Sequence, residues 1–149
     1  AARSVPDDRP FSSYIEAAKS VYGHTPGGTP ALKAILPAGR GIPSAVQGEI
    51  EDNFSLQSSP PVEITWKDLP TNIFFKLDRS PRRPAITINS KYRRAILAGR
   101  PATGVDAPML KTLLFLALQE HCAKARISGK DRSYLKVLNQ ILVKAARSE

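Results

Sequence analysis

The stretch Asp106–Ala125, DAPMLKTLLFLALQEHCAKA, decides the fold. Its centre, Leu113-Leu114-Phe115-Leu116-Ala117-Leu118, is apolar at every helical position. A helix apolar around its whole circumference is expected to be buried on all sides. Residues 107–125 are therefore expected to form the central post of the core. Asp106 is placed to cap this helix, Pro108 is tolerated in its first turn, and Lys124 and Arg126 suit its negative end.

Downstream, Ser128-Gly129 precedes a second helical pattern over 131–147. Tyr134, Leu138, Ile141, Leu142 and Ala145 share one face, widened by Leu135 and Val137, with Lys130, Arg132, Lys136, Lys144 and Arg147 over much of the remainder. This is an amphipathic C-terminal helix that should pack in a hairpin with the central one. Upstream, Asn89-Ser90 caps a short helix over 91–98, with Tyr92 and Ile96 inward and Gly99 as its stop.

Before residue 90 the period changes from helical to alternating. Val62-Glu63-Ile64-Thr65-Trp66, Ile73-Phe74-Phe75-Lys76-Leu77 and Ala85-Ile86-Thr87-Ile88 are β-rich runs joined by short connections. Short links favour an antiparallel meander. The expected fold is α+β: a small, mainly antiparallel sheet of about three strands over 62–88, packed on the helices that follow.

The N-terminal third is less regular. Ser13 and Glu16 form a capping box for a short helix with Phe11, Ile15, Ala18 and Tyr22 on one face, ended by Gly23. In the Gly/Pro-rich segment that follows, Gly23 and Gly28 have the spacing of a phosphate loop. Thr29-Pro30 stands where such a loop needs Lys-Ser/Thr, and no strand precedes it. Thr29 and Pro30 instead suit the start of a short helix over 31–36, ended by Pro37 and Gly39. Residues 44–61 are polar and include Glu49, Glu51 and Asp52; with no histidine at ligand spacing they read as a solvated loop. That loop is the only candidate boundary inside an otherwise single domain of 149 residues. The chain opens on Ala1 rather than methionine, which fits a piece of a longer protein.

Composition excludes several classes. With 42% apolar and 23% charged residues, general disorder is excluded. The longest apolar run is six residues, far short of a membrane span. One cysteine, Cys122, cannot form an internal disulfide, which suits a reducing, cytoplasmic setting. Chemistry is sparse. His24 lies in a Gly/Pro loop, and His121 and Cys122, as helix neighbours, point about 100° apart, so they make no dyad. Two histidines and one cysteine fall short of a zinc site. No cofactor, metal or catalytic residue is expected, and a non-enzymatic role is the stronger reading.

Charge carries the functional signal. The net charge is +9: residues 1–70 hold six Lys/Arg against eight Asp/Glu, whereas residues 71–149 hold sixteen against five. Within 76–100, Arg79, Arg82 and Arg83 fall in a connection between strands, and Lys91, Arg93, Arg94 and Arg100 on or beside the short helix. Cations in the first turn of a helix oppose its dipole, which points to an external anion. Arg79, Arg82, Arg83, Lys91, Arg93, Arg94 and Arg100 are thus the expected nucleic-acid or anion-binding residues. The leading expectation is a nucleic-acid-binding or nucleic-acid-associated domain, contacting DNA or RNA through this basic surface. The alternative is an accessory module of a larger assembly whose basic face docks on an acidic protein surface.

The succession of a strand ending Phe75-Lys76-Leu77-Asp78, a strand Ile86-Thr87-Ile88-Asn89, a short helix and a Leu-rich helix resembles the region after the nucleotide site in some bacterial ATP-binding proteins of the gyrase, Hsp90 and histidine-kinase type. The ATP-site motifs of that superfamily, an Asn on a helix and Asp-x-Gly-x-Gly, are absent. The resemblance therefore implies an accessory module alongside an ATPase, and no site residue is carried over.

Overall fold

The structure, a computed structural model, describes residues 33–149. The expected 12–22 helix, His24 and the glycine-rich loop lie outside the described residues. By its contacts the chain divides into Ala1–Lys33 and Ala34–Glu149, and the second unit holds every described helix and strand.

This unit is an α+β fold. The elements in order are α1 (Ser44–Asn53), β1 (Glu63–Lys67), β2 (Phe75–Asp78), β3 (Ala85–Asn89), a 3-10 turn (Ser90–Tyr92), α2 (Arg93–Leu97), α3 (Pro108–Ala123) and α4 (Gly129–Arg147). The strands lie within two residues of the expected runs, but β3 does not alternate, since Ile86, Thr87, Ile88 and Asn89 are all buried. The sheet order does not follow the expected meander. β3 lies in the centre, antiparallel to β2 and parallel to β1, with Ile64 opposite Ile86 and Phe75 opposite Ile88. The sheet is mixed.

Asn89 explains why the chain skips a position. Its side chain is fully buried, and Nδ2 donates to the carbonyls of Leu69, Pro70 and Ile73 at 2.8–3.1 Å. Its Oδ1 accepts from the N–H groups of Leu69 and Lys91. The β1–β2 connection is thereby pinned over the end of β3, carrying the chain from one edge of the sheet to the other. One amide caps the following turn, as the sequence implied, and closes the crossover, which it did not imply.

The free edge of β1 is occupied by residues 37–40. Val62 N–H bonds Pro37 O, Gly39 N–H bonds Val62 O, and Ile64 N–H bonds Arg40 O, at 2.8–2.9 Å. Ile35 likewise bridges Leu56 in parallel, so the residues expected to end a 31–36 helix are extended. The chain then turns at Gly41, whose φ is +104°. Residues 44–61, expected as a polar loop, contain helix α1, held down by buried Ile50 and by Gln47, whose Nε2 donates to Gly39 O and Ile42 O.

Ile42, Val62, Ile64, Ile86, Ile88, Phe115 and Leu118 are at most 2% exposed and form the centre of the core. α3 contacts β3 and crosses this core, but it is not buried on all sides. Its inner face holds Leu114, Phe115, Leu118 and Cys122 together with polar Lys111, Gln119 and His121, while Met109, Leu113 and Leu116 face outward. The inward polar groups have specific tasks. Gln119 Oε1 accepts the Leu36 N–H at 3.0 Å, and Lys111 Nζ pairs with Asp106. α4 covers β2, where Asn139 Oδ1 accepts from the Phe74 and Phe75 N–H groups and its Nδ2 donates to Phe75 O. Its N-terminus carries a capping box between Ser128 and Asp131.

Candidate anion-binding surface

The seven basic residues singled out by the sequence fall at opposite ends of β3. Arg79, Arg82 and Arg83 precede the strand; Lys91, Arg93, Arg94 and Arg100 follow it. A five-residue strand separates the groups by roughly 17 Å.

Before β3, Arg79 turns inward. Its guanidinium donates to His121 O (3.2 Å) and to Lys124 O, satisfying carbonyls at the end of α3 that lack helical partners. Arg82 and Arg83 are exposed, and among the described residues neither side chain has a hydrogen-bond or ion-pair partner. Below them is a cavity of about 270 Å³ lined by Leu36, Gln57, Arg79, Cys122 and Lys124, among others. Burial pushes the Cys122 thiol up to about 11, although Arg79 pulls the other way. Its neighbour His121 points elsewhere, stacked on Tyr134 at 5.8 Å with Nε2 3.7 Å from Asp131 Oδ1. Among the described residues, no three His, Cys, Asp or Glu side chains gather as a metal site.

After β3, carboxylates distant in sequence meet two of the cations. Lys91 pairs with Asp68 at 2.5 Å and donates to Leu69 O. Arg93 sends Nε and Nη2 to Asp106 Oδ2, at 3.0 and 2.6 Å, and lies over Trp66, 5.2 Å from the ring centroid. The unfavourable charges at this helix start thus have internal counter-ions, so the expected inference to an external anion loses that part of its basis.

Asp106 is the hub of this end. Besides Arg93 it accepts from Trp66 Nε1 (2.8 Å), Thr103 N (2.9 Å) and Lys111 Nζ (3.1 Å). Burial alone would raise its pKa, but the donors from Trp66, Arg93, Thr103 and Lys111 outweigh it and hold the carboxyl well below the usual range. It was expected to cap α3. Instead Ala107 occupies the N-cap position in a left-handed conformation, φ +47°, and no side chain caps the helix. The hub contains two cations and one carboxylate. Lys111 is 1% exposed, and among the described residues its oxygen partners are Asp106 Oδ1 and Gly104 O alone.

Arg93, Arg94 and Arg100 converge on a shallow cavity of about 390 Å³, completed by Ser90, Leu97, Gly99 and Ala102. Arg100 is steadied by Nε and Nη2 bonds to Leu97 O and Ile96 O, at 2.9 and 3.4 Å. Arg93 is steadied by Asp106. In both, Nη1 makes no hydrogen bond among the described residues, and the Arg94 side chain makes none at all. Two guanidinium groups are therefore held in place by their own fold while keeping donors for a ligand, and the third is exposed at the rim. Such pre-organisation lowers the entropy cost of binding an anion. Sequence reasoning named all three arginines but gave no sign that Trp66, Asp106 and Lys111 form the support beneath one of them.

Comparison with protein-family models, with curated proteins and with solved structures gives no match for this chain. Among the described residues no helix is long and apolar enough to cross a membrane.

Proposed function

We propose that this is a non-enzymatic, nucleic-acid-associated domain that holds backbone phosphates in the Arg93–Arg94–Arg100 cavity. The observation that carries the reading is the convergence of three guanidinium groups on one concavity, two of them fixed by internal bonds. Arginine forks suit phosphate oxygens, and the net charge of +9 supplies long-range attraction. Arg82 and Arg83, at the far end of β3, offer a second contact with the same backbone.

The test is titration with labelled duplex DNA, single-stranded DNA and RNA across a salt series. Three phosphate contacts give a log–log salt slope of roughly −2 to −3. Absence of binding to all three forms contradicts the reading. A salt-sensitive complex with an acidic protein in its place would favour the second reading, an accessory docking module. In that reading the same basic face docks on an acidic protein surface.

A further inference from the structure

Three arginines line the cavity after β3, and no carboxylate does. The carboxylate that touches one of them, Asp106, is shared: Oδ2 faces Arg93 at 2.6 Å and Oδ1 faces Lys111 at 3.1 Å. Lys111 is 1% exposed, so this carboxylate serves as its counter-ion and leaves Arg93 only partly neutralised. Asp68 is taken by Lys91. Glu149, two residues beyond the Arg147 that reaches Thr71 O, is not in the lining. Arg93, Arg94, Arg100 and Lys111 thus stand against Asp106 alone, an excess of three positive charges.

An internal phosphodiester brings a single negative charge and two unesterified oxygens. A phosphate monoester at the end of a strand brings a charge of about −2 at pH 7 and three acceptor oxygens. The unused donors of the cavity match the second group. Nη1 of Arg93 and Nη1 of Arg100 make no hydrogen bond among the described residues. Their Nε and Nη2 groups are held by Asp106 and Thr103 O, and by the carbonyls of Leu97 and Ile96. Arg94 keeps its whole guanidinium, and Ser90 Oγ in the same lining makes no hydrogen bond among the described residues. The arginines also meet rather than line up. Arg93 and Arg94 open α2 and Arg100 follows its end, so they border one concavity, whereas successive phosphates of a strand would need cations in a row.

We infer that this cavity takes the terminal phosphate monoester of a nucleic-acid strand, at its 5′ or 3′ end, in preference to an internal diester. The inference rests on the nucleic-acid reading above and narrows it to strand ends. Leu97, Gly99 and Ala102 complete the wall without charge, which leaves the three guanidinium groups to set the selectivity.

The test is competition by unlabelled single strands of one sequence against a labelled strand bound to the full chain, followed by fluorescence anisotropy at near-physiological salt. The competitors end in hydroxyls only, in a 5′-phosphate, in a 3′-phosphate, or in the better of the two phosphates closed as its methyl ester, which restores the charge of a diester. A phosphate at one end or the other is expected to compete about tenfold better than the hydroxyl strand, and the end that does so gives the polarity of the bound strand. The methyl ester should lose most of that advantage. Ala102→Asp, which puts a carboxylate into the lining, should erase it, and Arg94→Gln should reduce it, both at exposed positions and without lowering the melting temperature. The inference is overturned, with the nucleic-acid reading intact, by equal competition from all the strands, by a methyl ester as effective as the free phosphate, or by the full advantage surviving in both folded variants. Absence of binding by any strand overturns both.

Discussion

Arg93 Nη2 stands 2.6 Å from Asp106 Oδ2, and this ion pair ties the short helix after β3 to the head of α3. Lys111 lies 3.1 Å from the other carboxylate oxygen, and Trp66 donates to that same oxygen from β1. One carboxylate thus joins three elements and places an arginine at the mouth of the basic cavity. Asp106→Ala leaves Lys111 buried without a counter-ion, and a loss of about 3–5 kcal/mol is expected in urea unfolding. Adding Lys111→Met removes the stranded charge, so the double variant should recover much of that loss. A double variant no more stable than Asp106→Ala would contradict a stranded Lys111 charge as the source of the loss.

Acid should weaken the fold through Asp106 and Asp131. Both carboxyls titrate below the ordinary value: Asp106 because its four donors outweigh its burial, and Asp131, at about 2, chiefly because Lys124 bonds it, with Ser128 assisting. Between the folded values and the unfolded value of ~4, the unfolded chain binds more protons. The stability these groups contribute is therefore complete well above pH 4 and is lost as pH falls below it. The midpoint of thermal unfolding should fall steadily from about pH 5 to pH 3, and Asp131→Asn should make that fall shallower.

Cys122 should be inert in the folded protein. With its thiol raised to about 11 by burial, little thiolate exists at pH 8. Alkylation by iodoacetamide should run about 100-fold slower than for a free cysteine and become rapid in denaturant. Fast native-state labelling would contradict the burial of Cys122 on the inner face of α3.

Gly41 has no room for a side chain. A Cβ there would stand 2.0 Å from Ile64 O, at a φ of +104° that other residues rarely adopt. Gly41→Ala forces residues 37–42 away from the β1 edge, and a loss of about 3 kcal/mol is expected in denaturant unfolding.

The three strands and the helices after residue 90 were legible in the sequence because two periods leave different marks, 2 in Ile64-Thr65-Trp66 and 3.6 in the chain after residue 106. Strand order was not. It depends on Asn89 grasping carbonyls sixteen to twenty residues earlier, and an asparagine before a helix looks like a simple cap. The orientation of α3 was hidden for another reason. When Leu113 through Leu118 are apolar in every direction, composition cannot say which side faces the core. Three polar residues, Lys111, Gln119 and His121, mark the inner side, against the usual rule. α1 escaped notice because Val46 and Ile50 are its only strongly apolar residues. Of the basic site, the arginines were visible, but their internal partners were not: Asp106 lies thirteen residues from Arg93, and Asp68 twenty-three from Lys91.

The most direct measurement compares Arg94→Glu with Arg82→Glu/Arg83→Glu in nucleic-acid titrations at fixed salt and across a salt series. The Arg94 side chain makes no hydrogen bond among the described residues, so its loss should leave the melting temperature unchanged. Arg94→Glu is expected to weaken binding about tenfold or more and to flatten the salt slope by roughly one unit, with a smaller effect from the other pair. Unchanged binding in Arg94→Glu would contradict the assignment of phosphate contacts to the Arg93–Arg94–Arg100 cavity.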